Sequence, residues 1–189
     1  MVVVTVSMPE SLHDVLGERQ THLELVNVGV FGGGVTAVLL ATQRHLFVDV
    51  PAWRAAVAAL LIADVAAGCA ANLTRGTSGY YSVPPRKRLA FIAVHVHLLV
   101  IAVLLGGPLG DITLVWAYTI LTALLVNQMQ RSPLQTLVGG VALSLGVLIV
   151  VALTRDLGPL MGSVAALFLM KVTFAFAVDH YRDAIEEAR

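Results

Sequence analysis

The chain has 189 residues, of which 58% are hydrophobic and 13% are charged, and its mean hydropathy is +0.85. Soluble domains are about 45–50% apolar and about 25% charged, so this composition excludes an ordinary water-soluble protein. The formal net charge is zero, which argues against nucleic acid as a partner. The composition predicts an integral membrane protein whose first partners are membrane lipids.

The N-terminal segment lacks the long apolar stretch of a cleavable signal peptide. Ser11 followed by Asp14 is typical of a helix start, and Leu12, Val15 and Leu16 would then form one apolar stripe of that helix. We therefore expect a short amphipathic helix on the membrane surface.

Six apolar runs follow, each 17–20 residues long, which is within the roughly 17–25 residues of a membrane-spanning helix. All should be helical, because the bilayer offers backbone groups no other hydrogen-bonding partner. The runs cover residues 25–42, 53–72, 89–105, 112–128, 134–153 and 159–178. The predicted fold class is all-α, a polytopic and compact bundle of six transmembrane helices.

The predicted division is an N-terminal cytoplasmic or interfacial segment (1–23), a six-helix transmembrane domain (24–180) and a C-terminal tail (181–189). Orientation follows from lysines and arginines, which are enriched in cytoplasmic connections. The side of the termini holds eight of them: Arg19, Arg75, Arg86, Lys87, Arg88, Arg131, Arg182 and Arg189. The opposite side holds three: Arg44, Arg54 and Arg155. The expected localisation is the cell membrane, with both termini in the cytoplasm.

Lys171 lies in the middle of the sixth run, where a lysine costs about 2.5–3.5 kcal/mol on insertion. Asp64 lies at nearly the same depth in the second run, which is parallel to the sixth. An unpaired buried charge is far costlier than a paired one, so we expect Asp64 to pair with Lys171. On continuous helices Arg75 would lie on the face of Asp64 and Asp179 on the face of Lys171. This spacing predicts a second ion pair between Arg75 and Asp179.

Other polar residues gather in the predicted cytoplasmic half. His95 and His97 are two residues apart, about 200° around a helix, so they should point to opposite faces, and His95 is favoured to face the site. The other members of the predicted polar site are Asn72, Asn127, Asp179 and His180. The sequence identifies no cofactor. Asp64, His95 and His180 are candidate metal ligands, since these residue types suit Zn²⁺.

Glycines are abundant in the first and fifth runs and allow helix backbones to approach closely. The contacts could be made within one bundle or between the subunits of a homo-oligomer. The glycines concerned are Gly29, Gly32, Gly33, Gly34, Gly139, Gly140 and Gly146.

Three classes of function are compatible with an intramembrane charged cluster. The first is a small transporter or permeation protein, with Asp64–Lys171 as a charge gate and a histidine as the proton-responsive group, because its pKa is about 6.5. The second is an intramembrane enzyme acting on a lipid or prenyl substrate through a metal or an acid–base pair. The third is a structural or assembly subunit. A cavity reaching both sides favours the first class, a cavity open to lipid the second, and a dry interior with every charge paired the third.

Overall fold

The computed structural model describes residues 4–82, 85–130 and 132–181. Six helical segments in this part of the chain are long and apolar enough to cross a membrane, which confirms the predicted all-α membrane bundle. In chain order the elements are β1 (Thr5–Ser7), α1 (His13–Leu16), β2 (Arg19–Thr21), α2 (His22–Thr42), α3 (Ala52–Ala71), α4 (Arg75–Ser82), α5 (Pro85–Val94), α6 (His97–Leu105), α7 (Leu109–Gln128), α8 (Gln135–Ala152) and α9 (Thr154–Leu169), which continues as a π-helix over Met170–Phe176.

The six spans are α2, α3, α5 with α6, α7, α8, and α9 with the π-helix. Helix α3 lies centrally and packs against α2, α6, α9 and the π-helix. Helix α7 packs against α6, α8 and the sixth span. The sixth span is the most deeply buried of the six, and α2 is the most exposed.

Local sequence signals explain several of the boundaries. Helix α2 begins with a capping box, in which the Thr21 hydroxyl accepts from the Glu24 N–H and the Glu24 carboxylate accepts from the Thr21 N–H. Gly106 ends α6 in the left-handed region, with φ of 70°. Gly158, with φ of 67°, kinks α9, and Pro159 then starts the membrane-spanning part.

The N-terminal segment folds as a hairpin, with β1 antiparallel to β2. Between the two strands, the expected helix is a 3-10 turn over Glu10–Leu12 followed by one α-helical turn, α1. The strands themselves were not predicted. The hairpin is attached at the start of α4 through the fully buried Gln20. Its Nε2 donates to Thr74 Oγ1, just before α4, at 2.8 Å and to Thr77 Oγ1 within α4 at 3.3 Å. The segment therefore closes one end of the bundle. We call this end, formed by the hairpin, α4 and residues 177–181, the terminal face.

Candidate functional site

An ion pair between α3 and the π-helix forms the centre of the site. Lys171 Nζ donates to Asp64 Oδ2 at 2.7 Å and to the Asp64 carbonyl at 3.3 Å. The Lys171 side chain is 5% exposed, whereas that of Asp64 is 34% exposed. Gly68 makes this pairing possible, since a Cβ at this position would collide with Cε and Cδ of Lys171. The lysine thus lies across the bare backbone of α3 and reaches back to Asp64.

A break in the third span brings both histidines to this pair. Between α5 and α6 the Val96 N–H donates to the Val94 carbonyl at 2.8 Å instead of making a helical bond. The rings of His95 and His97 consequently lie 5.1 Å apart, centroid to centroid. His97 Nε2 is 3.7 Å from Asp64 Oδ2. The prediction that the two histidines face opposite ways is wrong, because it assumed a continuous helix.

His95 is held on the same side by contacts at the break. Its Nδ1 is hydrogen-bonded to the Phe91 carbonyl, and its ring lies 4.0 Å from that of Phe91. Its own carbonyl, left without a helical partner, accepts from Trp116 Nε1 of α7 at 2.9 Å. His95 Nε2 and His97 Nδ1 are buried, and neither has a hydrogen-bonding partner among the described residues.

The π-helix changes the register of the sixth span beyond Lys171. It carries an i to i+5 hydrogen bond, from the Ala177 N–H to the Val172 carbonyl at 3.2 Å. Asn72 Nδ2 donates to the Lys171 carbonyl at 3.3 Å, so this predicted site residue does contact the pair.

The expected ion pair between Arg75 and Asp179 is not formed. The Arg75 guanidinium lies 5.4 Å from the ring centroid of Tyr181. Asp179 Oδ1 accepts from the Tyr181 N–H at 3.4 Å. The prediction required an unbroken 3.6-residue period from Lys171 to Asp179, and the wider π-helical turns remove it.

A cavity of about 390 Å³ lies between α3 and α5. Its polar end is formed by the ion pair and the two histidines, and its walls are mainly apolar, including Phe91 and Val94. Asp14 and Lys87 lie at the other end, near the terminal face. Val94 is 63% exposed, so the cavity also borders the outer, lipid-facing surface of the bundle.

A second polar cluster lies outside the cavity, around Arg88. The fully buried guanidinium donates through Nε to Asn127 Oδ1 at 2.8 Å and through one terminal nitrogen to the carbonyls of Phe176 and Ala177 at 2.9 and 3.0 Å. A cation is favourable there, at the end of the sixth span, where carbonyls lack helical partners. The sequence analysis counted Arg88 only among the basic residues that set the orientation of the bundle. Its place after two further basic residues gave no sign of burial.

His180 also lies at the terminal face, where its Nε2 donates to the Phe174 carbonyl at 3.1 Å. Burial lowers the pKa of His180 from its ordinary value. The structure therefore separates Asn127, Asp179 and His180 from the ion pair and the two span-three histidines. In the described part of the chain no three His, Cys, Asp or Glu side chains are grouped to hold a metal ion, which removes the trio Asp64, His95 and His180 as a metal site.

No family model, curated protein or solved structure matches this chain. The chemistry of the cavity is therefore the basis for a functional assignment. It combines an apolar chamber, an ion pair with no net charge, and two imidazole nitrogens that have no partner in the described part of the chain.

Proposed function

We propose that this membrane protein binds an amphipathic, lipid-derived or prenyl molecule in the cavity between α3 and α5, and acts on it by acid–base chemistry. The observation that carries the proposal is the position of this cavity, beside the lipid-facing surface and with its polar groups at one end. Its size falls within the roughly 300–1,000 Å³ of ligand sites, which are mainly apolar with a few convergent polar groups.

The acid–base part of the proposal rests on Asp64 and His97. A carboxylate beside one imidazole nitrogen fixes the tautomer and leaves the other nitrogen able to accept a proton. Asp64 Oδ2 lies 3.7 Å from His97 Nε2. His97 lines the cavity, and its buried Nδ1 has no partner among the described residues. Lys171 Nζ donates to the same carboxylate oxygen at 2.7 Å and so holds the Asp64 side chain beside His97. These residues supply a base in a site from which apolar walls exclude much of the water.

Transport, the first class considered from the sequence, has less support. The cavity reaches the ion pair from the terminal-face half of the bundle. Two residues beyond Asp64 on α3, Ile62 is fully buried. Beyond the histidines on α6, Leu98 and Ile101 are also fully buried. A transport path would require this packing to open. A purely structural role is also less well supported, because unpartnered buried nitrogens are costly and a structural interior would pair them.

Identification of co-purified molecules tests the proposal. The protein would be extracted with its surrounding lipid in polymer-bounded discs, and bound small molecules identified by mass spectrometry. Ala90→Phe fills the cavity wall, whereas Ala56→Phe adds the same ring to an exposed position of α3. We expect a molecule that is enriched over bulk lipid in wild type and in Ala56→Phe but lost in Ala90→Phe. Identical contents in all three proteins would refute ligand binding in this cavity.

A further inference from the structure

Two buried imidazole nitrogens, one on His95 and one on His97, indicate which chemical group a ligand of the cavity presents. His95 is 3% exposed and lines the cavity, yet its Nε2 meets no hydrogen-bonding group among the described residues. The same is true of His97 Nδ1 on the neighbouring ring. Buried polar atoms of this kind are rare in folded proteins, because each costs the full desolvation of the group. Both are accounted for if a ligand occupies the cavity.

Their surroundings determine which hydrogen-bonding role each nitrogen plays. His95 Nδ1 faces a carbonyl oxygen, which can only accept, so the proton is on Nδ1 and Nε2 carries a lone pair. His97 Nε2 lies 3.7 Å from a carboxylate oxygen, and this negative neighbour favours the tautomer with the proton on Nε2 and a lone pair on Nδ1. A ligand that hydrogen-bonds to either of these two nitrogens must therefore supply a donor.

The charge of the site selects among possible donors. Asp64 and Lys171 neutralise each other in direct contact, with Nζ 2.7 Å from Oδ2, and two neutral imidazoles add no charge. A phosphate or carboxylate head group accepts hydrogen bonds, and the two imidazole nitrogens are also acceptors, so they would not bind it. An ammonium group would bring an uncompensated charge into an apolar chamber, which is unfavourable. A hydroxyl group is neutral and donates one hydrogen bond.

We propose that the ligand is a membrane-soluble alcohol, and that its hydroxyl donates to His95 Nε2, the more buried of the two acceptors. The apolar body of the molecule then lies along Phe91 and Val94 in the rest of the cavity. This inference rests on the proposed function and names its ligand class. His95 binds and orients the alcohol, while His97, beside Asp64, remains the acid–base group.

Photolabelling with a matched pair of probes tests the inference. One probe is a diazirine derivative of dodecanol, and the other is its methyl ether, which keeps the oxygen but lacks the donor. Each is added to the full-length protein in lipid nanodiscs, and labelled peptides are mapped by mass spectrometry. We expect the α3 and α5 peptides of wild type to be labelled roughly tenfold more by the alcohol than by the ether, as for the loss of one buried hydrogen bond.

Variants assign the preference to His95. His95→Phe keeps a ring beside Phe91 but removes the acceptor, so it should label equally with both probes. His95→Gln retains an acceptor oxygen and should keep part of the preference. His180→Phe, outside the cavity, should behave as wild type.

The outcomes separate the two proposals. Equal labelling of the wild-type cavity by both probes overturns the alcohol assignment and leaves ligand binding intact. Absence of cavity labelling by either probe overturns both. If His95→Phe does not fold, the wild-type comparison and His95→Gln still decide the matter.

Discussion

Lys171 and Asp64 contribute unequally to stability because they are buried to different extents. Lys171 is almost fully enclosed, whereas about a third of the Asp64 side chain is exposed and has His97 nearby. Removing the carboxylate leaves the Lys171 ammonium buried without its partner, and breaking a buried pair in this way costs about 3–5 kcal/mol. We expect Asp64→Asn to lower the free energy of unfolding by that amount, and Lys171→Met to lower it by less.

Reversible unfolding in mixed detergent micelles measures both changes, and the double variant completes a mutant cycle. The double variant should be more stable than Asp64→Asn alone, because it no longer contains an unpaired lysine. Strictly additive losses would show that the two charges are not coupled.

Gly68 permits the ion pair by lacking a side chain. A methyl group there collides with the Lys171 stem, whereas a Cβ at Gly33 of α2 meets no atom within 4 Å. We expect Gly68→Ala to displace the lysine and lower thermal stability, at a cost of about 1–3 kcal/mol as in other overpacked sites. Gly33→Ala is the matched control and should be neutral or slightly stabilising. Equal melting temperatures for the two variants would contradict the arrangement.

His180 makes the folding stability of the protein depend on pH. Burial lowers its pKa in the folded protein, while the unfolded value is about 6.5. The unfolded chain therefore takes up the proton more readily, so stability is retained above about pH 6.5 and lost as the pH falls below it.

Thermal unfolding between about pH 7.5 and pH 5 checks this sign, since the window brackets the unfolded value of about 6.5. Wild type should lose more stability than His180→Phe on acidification. His45→Phe, which removes an exposed histidine, should retain the wild-type dependence. If His180→Phe lost more thermal stability on acidification than wild type, His180 would not be the source of the acid sensitivity.

At the scale of elements, length and hydropathy were sufficient to predict the six spans. They were not sufficient for the two irregular segments that build the site. The break at His95 and Val96 falls in an apolar run without glycine or proline, and the π-helix over Met170–Phe176 has no local signature. Both depend on tertiary contacts, such as the Trp116 bond to the His95 carbonyl. Sequence reasoning therefore paired Asp64 with Lys171 but missed how the histidines join them.

The N-terminal hairpin is a distinct element whose attachment depends on a close backbone approach. Gly76 of α4 lies against the Arg19 carbonyl of β2, where a Cβ would clash, whereas a Cβ at Gly79 meets no atom within 4 Å. We expect Gly76→Ala to detach the hairpin and expose its strands to amide hydrogen exchange.

The control for this experiment is Gly79→Ala, in the same helix. It should leave exchange in β1 and β2 as slow as in wild type. Because Asp14 of the hairpin lines the cavity, Gly76→Ala should also weaken ligand retention. Unchanged protection in Gly76→Ala would contradict the docked position.

At the scale of the whole molecule, the polar groups are unevenly distributed between the two halves of the bundle. The cavity lies in the half that ends at the terminal face, and the Arg88 cluster lies at the same end. Asp64 is about 12 Å along α3 from Asn72, where the helix ends. The opposite half is packed with apolar side chains such as Ala58 and Ile62. The ligand of the cavity is therefore expected to enter from the membrane leaflet on the side of the terminal face.

The orientation of the bundle determines which leaflet that is. The two ends of the described chain share one face, since Tyr181 Oη donates to the Leu73 carbonyl at 2.8 Å and the hairpin covers α4. An excess of lysine and arginine, eight against three in the connections and termini, predicts that this face is cytoplasmic. A fluorescent protein fused at the C-terminus should fluoresce, and alkaline phosphatase fused there should be inactive. Phosphatase inserted in the connection at 106–108 should be active, and the reverse pattern of activities would invert the bundle and place the cavity in the outer leaflet.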